Sequence, residues 1–353
     1  MRSFEHNYLL EQPISHELLK MVRLIGEYRG RQDLYRRQSP EVLETLRRVA
    51  MVQSVESSNR IEGIVAGAGR VEALVEGRTK PKDRSEAEIA GYKDVLADIH
   101  AHPGAWNLTP ELILDFHRRM LALTPEKGGV WKEKDNAIIE VDASGVQKLR
   151  FRPVSSAATP EFIETLCRLY RQAVQDRQAE PLLLIPSFIL DYECIHPFWD
   201  GNGRTGRLLT LMLLYQEGYE VGRYISLERI IEQTKEGGYY DSLQKSSQNW
   251  HEGRHDLRPW WTYFLGVLIA AYKEFEERAG QLAGGRGAKK EMVKNMALRL
   301  PSPFRFGDLQ RVCPGVSHPT LKRALDELRR KGQIRCLGKG ANAAWERTVS
   351  REP

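Results

Sequence analysis

The stretch His196-Pro197-Phe198-Trp199-Asp200-Gly201-Asn202-Gly203-Arg204-Thr205-Gly206-Arg207 decides how this chain is read. It sets a base, a carboxylate, a permissive turn and two guanidiniums next to one another. Gly201 and Gly203 flank Asn202, so the backbone can take positive φ and turn successive N–H groups into one concavity, a nest for phosphate oxygens. A helix opening near Arg204 would aim its free N–H groups and positive dipole end at the same place, with Thr205 and Gly206 in its first turn. Arg204 and Arg207, three apart, share a helix face and suit phosphate oxygens through charge-assisted bonds. Asp200 suits Mg2+, which takes one or two protein carboxylates alongside phosphate oxygens. His196, with an ordinary imidazole pKa of about 6.5, can take a hydroxyl proton near neutral pH. Together these residues predict attack of a hydroxyl on phosphorus.

Outward from this stretch the chain reads as mainly α-helical. Upstream, Pro181 to Ile195 is almost wholly apolar and predicts a central helix, and downstream Leu208 to Gly218 predicts another. Apolar residues recur at helical spacing elsewhere, as in Leu18, Met21, Val22 and Ile25, or Leu43, Leu46, Val49 and Val52. A helix starting near Pro40 should stop where Gly63 supplies a left-handed cap, which puts Glu62 in its last turn. Further helices are expected near 86–102, 109–123, 160–178, 238–249 and 258–278. Between them, Ala137 to Val141 and Val146 to Val154 flank Asp142-Ala143-Ser144-Gly145 and predict a β-hairpin.

At 353 residues, with 41% hydrophobic and 28% charged residues, the chain should fold into more than one compact unit and is not of the disordered class. A polar stretch at Gly77 to Arg84 and a Gly-rich one at Gly280 to Ala288 predict an N-terminal helical region over 1–85, a core over 86–279, a linker over 280–288 and a C-terminal domain over 289–353. That last domain reads as three helices and a small hairpin, the order of a winged helix-turn-helix. From Arg286 onward there are 16 Lys and Arg against 6 Asp and Glu, so the basic character of the chain belongs to its tail. Lys322, Arg323, Arg329, Arg330 and Lys331 cluster on or after the expected recognition helix and make DNA a candidate partner, against a plain packing or dimerisation module. The four cysteines are scattered without metal-ligand spacing and read as reduced thiols. The first residues lack an apolar core of signal-peptide length, and Leu208 to Tyr215 is too short to span a bilayer. A cytoplasmic protein without membrane attachment is expected.

The stretch from His196 to Arg207 is similar, at every defining position, to the signature His-Pro-Phe-x-(Asp/Glu)-Gly-Asn-Gly-Arg-x-x-Arg of the Fic family. The resemblance implies a helical Fic core over roughly Glu86 to Arg278 and transfer of AMP from ATP to Tyr, Ser or Thr hydroxyls of proteins, this chain itself among the candidate targets. It implies His196 as general base, Asp200 as the Mg2+ ligand, and the nucleotide phosphates lying on Gly201 to Arg207. The hairpin near Lys132 to Arg152 falls where the family places a flap that aligns the target backbone, with Asn136 and Ile138 at matching positions. Tyr239, Tyr240 and Leu243 resemble the Tyr-Tyr-x-x-Leu helix on the adenine side of the pocket. The chain departs from the family pattern at Lys132, where an arginine often enters the flap, and at Ser247, where an asparagine is frequent.

Ser58-Asn59-Arg60-Ile61-Glu62-Gly63 resembles the family's inhibitory motif (Ser/Thr)-x-x-x-Glu-(Gly/Asn). Ser58 and Glu62 are four apart on one helix face, and a carboxylate near the nest would pair with Arg207 and deny it to the γ-phosphate. Two other readings keep the fold: transfer of a different phosphorus group, against which Gly203 speaks because phosphorylating relatives usually carry lysine there, and a nucleotide-sensing DNA-binding regulator. A homodimer is compatible with all three.

Overall fold

The central helix forms as the sequence predicts, over Pro181–Ile195, and nearly all of its side chains are buried. A proline lies inside it, and the disturbed turn is secured from outside: Trp260 Nε1 donates to the Pro186 carbonyl at 2.8 Å and Trp261 Nε1 to Ser187 Oγ at 2.9 Å. Buried indoles need such partners, and here they also fix the helix in register.

The computed structural model describes residues 2–38, 40–141, 147–283, 288–313, 316–338 and 343–348. In chain order the elements are α1 (Tyr8–Glu11), α2 (His16–Gln38), α3 (Pro40–Ile61), α4 (Arg70–Val75), α5 (Arg84–Ala101), α6 (Pro110–Met120), β1 (Ile138–Val141), β2 (Gln147–Phe151), α7 (Thr159–Gln175), α8 (Pro181–Ile195), α9 (Asn202–Gln216), α10 (Leu227–Gln233), α11 (Tyr240–Ser247), α12 (Arg258–Ala283), α13 (Ala288–Arg299), β3 (Phe304–Arg305), α14 (Phe306–Val312), α15 (His318–Arg330), β4 (Ile334–Leu337) and β5 (Ala344–Arg347). The chain is mainly α, as expected, with a two-stranded antiparallel hairpin between α6 and α7. The turn expected at Asp142 to Gly145 lies outside the described residues. No described helix is long and apolar enough to cross a membrane.

Residues 1–29 and 50–272 form one compact unit, and residues 30–49 and 273–353 another. The stretch expected as an N-terminal region is therefore shared between the two. Within the first unit, the polar segment 77–84 ties α4 to α5: Arg70 donates to the buried Glu86 carboxylate at 2.8 and 2.6 Å and to Thr79 at 2.8 Å, and Glu86 is held down to about 2 by that guanidinium. The core of this unit is built from α5, α6, α7, α8 and α9, with Tyr92, Phe116, Phe188 and Phe198 fully enclosed.

The second unit has its own core of Val293, Leu309, Leu321, Leu325, Leu328 and Ile334. Its order is helix, strand, helix, helix and hairpin, and β3, β5 and β4 form one antiparallel sheet. The strand β3 was not expected from the sequence, because Phe304 and Arg305 alone carry no alternation. The expected linker also shortens: α12 continues through Gly280 to Ala283, a glycine being tolerated in a helix at a cost of about 1 kcal/mol.

Candidate active site

His196 terminates α8. It is the C-cap with φ 51 and ψ 62, its N–H donating to the Tyr192 carbonyl at 2.9 Å. A β-substituted residue in the left-handed region is strained and persists only where its surroundings hold it, a condition found most often at functional sites. Here the loop beyond is held at nearly every step. Asn202 accepts the Phe198 N–H at 2.8 Å and donates to the Phe198 carbonyl at 2.8 Å. Asn136 donates to the same carbonyl at 3.0 Å and to the His196 carbonyl at 3.4 Å. Lys132 is buried: its backbone N–H meets the Pro197 carbonyl at 2.9 Å, and its Nζ donates to the Ile195 carbonyl at 3.0 Å and to Asn136 Oδ1 at 2.9 Å. The lysine that departs from the family pattern is thus a brace of the loop.

From the other side His117 supports the turn. Its Nδ1 accepts the Gly129 N–H at 3.0 Å, so its Nε2 carries the proton and donates to the Asp200 carbonyl at 3.0 Å. Burial lowers its pKa to about 4, which keeps that tautomer neutral, and its ring stacks on Phe198 at 3.7 Å. Gly201 then turns with φ 80, a conformation natural only to glycine, and α9 begins at Asn202. The first turn of α9 leaves the N–H groups of Asn202, Gly203 and Arg204 open at its N-terminus, and Thr205 N–H starts the ladder by donating to the Gly201 carbonyl at 2.9 Å. Thr205 is fully buried, while Gly206 leaves room for Glu193, whose Oε1 would lie 2.5 Å from an added Cβ.

The two arginines diverge. Arg207 is buried against α3: Nε donates to Ser58 Oγ at 2.8 Å, and Nη2 donates to the Ser58 carbonyl at 2.9 Å and to Glu62 Oε1 at 2.8 Å. Burial opposes its charge most strongly, but the Glu62 carboxylate, together with Tyr239 and Tyr92, more than offsets burial and holds the guanidinium more firmly protonated than usual. Arg204 differs from expectation. It is fully buried and bonded to Glu88 of α5, with Asp200 Oδ1 3.6 Å away, because the helix turn that carries Arg207 toward α3 carries Arg204 toward α5. Its grip is on the scaffold and on Asp200.

Glu62 lies just past α3, where Gly63 (φ 78) and the bonds Ile64 N–H to Asn59 O and Gly63 N–H to Arg60 O, both 3.0 Å, close the helix as a Schellman cap. That cap aims the carboxylate at α9: a Cβ added to Gly203 would meet Glu62 Oε1 at 2.4 Å and Arg207 Nη1 at 3.0 Å. A carboxylate therefore rests on the N-terminus of α9, where anions are favoured. Ser54, donating to the buried Glu228 of α10 at 2.7 Å, fixes α3 in this position.

A cleft of about 490 Å³ opens beside this contact. Glu62, His196 and Gly203 line one part of it, Tyr239, Tyr240 and Leu243 another, and Ile138 of the hairpin borders it. Tyr239 is buried and Tyr240 half-buried. Ser247 also faces the cleft. Asp200 opens instead on a neighbouring groove with Trp199 and Trp131, and its side chain is 57% exposed. Of the residues singled out from sequence, His196, Gly203, Glu62, Tyr239, Tyr240, Leu243 and Ile138 share one cleft, while Asn136 and Asn202 shape the loop behind it.

Burial lowers the His196 pKa to about 4, with the Lys132 ammonium adding to the effect, so the imidazole is a neutral base at neutral pH. Glu193 was missed in the sequence. Its Oε2 lies 3.7 Å from His196 Nδ1, and burial lifts its pKa to about 7. The signal was there in an acidic residue interrupting an apolar helix three positions before the histidine.

Residues 107–214 match the Fic/DOC family. The chain is 35% identical over 65 residues to a Fido domain-containing protein of Dictyostelium discoideum, a match covering 17% of this chain and 46% of that protein, so it spans less than half of that relative. Among solved structures it resembles a Fic family protein from Desulfovibrio desulfuricans (TM-score 0.61, 19% identity, 97% of this chain and 98% of that one). It also resembles a Fic domain containing signaling protein from Bacteroides thetaiotaomicron (0.61, 21%, 73% and 98%) and Fic-1 from C. elegans (0.56, 21%, 73% and 71%). These likenesses are ones of fold. The Fic/DOC match spans less than a third of the chain and takes in the whole loop from His196 to Arg207; members of that family typically transfer nucleotide or other groups to proteins.

Proposed function

We propose that the protein is an adenylyltransferase that moves AMP from ATP to a Tyr, Ser or Thr hydroxyl of a protein, and that Glu62 holds it inactive. The observation that carries this reading is the Glu62 carboxylate seated on Gly203 and Arg207, beside a cleft that also contains His196 and a tyrosine pair. An internal anion stands where the phosphates would lie. Arg207 Nη1 is buried beside Gly203 with no hydrogen-bond partner among the described residues, a donor that a phosphate oxygen would satisfy.

In the reaction, the target hydroxyl oxygen bonds to the α-phosphorus and the bond from that phosphorus to the bridging oxygen breaks, releasing pyrophosphate. The hydroxyl proton goes to His196, which is neutral and able to take it. The open N–H groups at the start of α9 receive charge on the phosphate oxygens, and Tyr239, Tyr240 and Leu243 offer an apolar wall to the base. Asp200 fits magnesium as a single exposed carboxylate: no cluster of three or more acidic, His or Cys ligands occurs among the described residues, and Mg2+ on a triphosphate needs only one or two. When bound there the ion would neutralise phosphate charge. The target chain would align on β1 and β2 near Ile138.

Incubation with α-labelled and with γ-labelled ATP tests the reading. Glu62→Gly should place α-label on protein at least about tenfold faster than the wild type, and His196→Ala in the same background should lower it by about 10²-fold or more. Label from the γ-position, or no label from either in Glu62→Gly, would sink the proposal, and equal rates for Glu62→Gly and wild type would remove the brake alone.

A further inference from the structure

The basic helix of the second unit, α15, holds none of the residues assigned to the proposed chemistry. Leu321, Ala324, Leu325 and Leu328 of α15 are buried in that unit's core, the i, i+3, i+4, i+7 stripe of an amphipathic helix. On the opposite face Pro319, Lys322, Arg323, Arg329 and Arg330 are exposed. Asp326 lies among them and is paired with Arg329 at 3.4 Å. Glu327, at the edge of the face, is taken up by Lys290 and Lys294 of α13 at 2.8 and 2.9 Å, and their hydrogen bonds hold its carboxyl down to about 2. Lys322, Arg323 and Arg330 have no ion-pair partner among the described residues. Salt bridges thus consume the acidic groups of α15 and leave three cations facing water.

We propose that this face of α15 binds double-stranded DNA. The preceding helix α14 and α15 follow one another as a helix-turn-helix, and β4 and β5 form a hairpin directly after α15. A 13-residue helix is about 20 Å long, and its width suits the major groove, where cations along one face meet phosphates on both sides. An acidic protein surface is a poorer match. Protein interfaces are anchored by apolar or aromatic side chains at their centre, and no large hydrophobic side chain is exposed on α15. A polyanion needs only charge and shape, and those are what the face offers.

The test is fluorescence anisotropy of the full chain with a labelled mixed-sequence duplex of about 20 base pairs, from about 50 to 200 mM NaCl. The wild type should bind, with affinity falling steeply with salt. The Lys322→Ala/Arg323→Ala double variant should bind at least about tenfold more weakly, with a log–log salt slope shallower by about 2, since each phosphate contact contributes about 0.9. Exchanging the two residues for one another (Lys322→Arg/Arg323→Lys) should keep most of the affinity, and Lys20→Ala, an exposed cation of the first unit, should change nothing. Absence of duplex binding at the lowest salt, an unaltered double variant, or an equal loss in Lys20→Ala would each overturn the proposal. So would binding to polyglutamate without binding to DNA, which would assign the face to a protein partner. These readouts do not involve AMP transfer.

Discussion

The loop from His196 to Asn202 and the hairpin that borders the cleft are close in space and unlike in construction. From His196 to Asn202 the loop is bonded through Asn202, Asn136, Lys132 and His117, and it ends on arginines paired with Glu88 and Glu62. The hairpin pairs Ile139 with Leu149, and both side chains are half exposed. A buried polar framework specifies one arrangement because each unmet partner is costly, whereas a strand with an open edge can still accept another chain. The contrast suits the proposed transfer: the loop would fix the atoms that meet phosphate and base, while the hairpin would keep backbone groups for a protein that arrives from outside.

If the loop owes its order to these bonds, the largest effect should come from Glu88→Ala. It leaves Arg204 charged and fully buried without its main partner, a situation that costs about 3–5 kcal/mol. Chemical denaturation should show that loss, and Glu88→Met/Arg204→Met should recover a good part of it, because paired hydrophobic replacements remove the stranded charge. A loss below about 1 kcal/mol would mean that the loop does not depend on its tie to α5.

The pH dependence sharpens the same comparison. In the proposed reaction His196 is a base only when neutral, and its pKa is lowered to about 4, so kcat/KM of Glu62→Gly should hold from neutral pH down to about 5 and fall below that; an imidazole with an ordinary pKa would lose activity near 6.5. Lys132→Met removes a positive charge that opposes protonation, so the acid limb should move to higher pH. An inflection near 7 that vanishes in Glu193→Gln belongs to that carboxyl. An acid limb at 6.5 in the parent, unmoved by Lys132→Met, would mean the loop leaves His196 as solvated as any surface histidine.

Much of this was legible in the sequence because local chemistry forces it. Gly63 and Gly201 need positive φ, and they end α3 and start α9 where expected. The Ser58–Glu62 spacing put both groups on the face that meets Arg207. What escaped depends on partners distant in the chain. Arg204 and Arg207 read alike at a spacing of three, and only α5 and α3 on either side separate their roles. Lys132 read as a lost arginine, since nothing local says that the Ile195 carbonyl needs a donor. The division of residues 30–49 from their sequence neighbours likewise follows contacts with residues beyond 273 that no local pattern encodes.

The smallest effect should come from the hairpin's own tie. Arg150 of β2 bonds the Tyr240 carbonyl, and its guanidinium lies 5.1 Å from the centre of the Tyr240 ring. Such a partly exposed cation–π contact is worth about 0.5–1 kcal/mol and the hydrogen bond about 1 kcal/mol, so Arg150→Ala should lower stability by no more than about 2 kcal/mol. Tyr240 keeps a second support in Lys235, whose Nζ is 5.6 Å from the same ring and donates to the Ile61 carbonyl at the end of α3 at 3.0 Å. With the ring still held from the side of α3, the KM for ATP in the Glu62→Gly background should change less than about threefold, while the KM for a protein target should change more. A loss of stability as large as that of Glu88→Ala would make the hairpin part of the rigid framework and erase the distinction between the two regions.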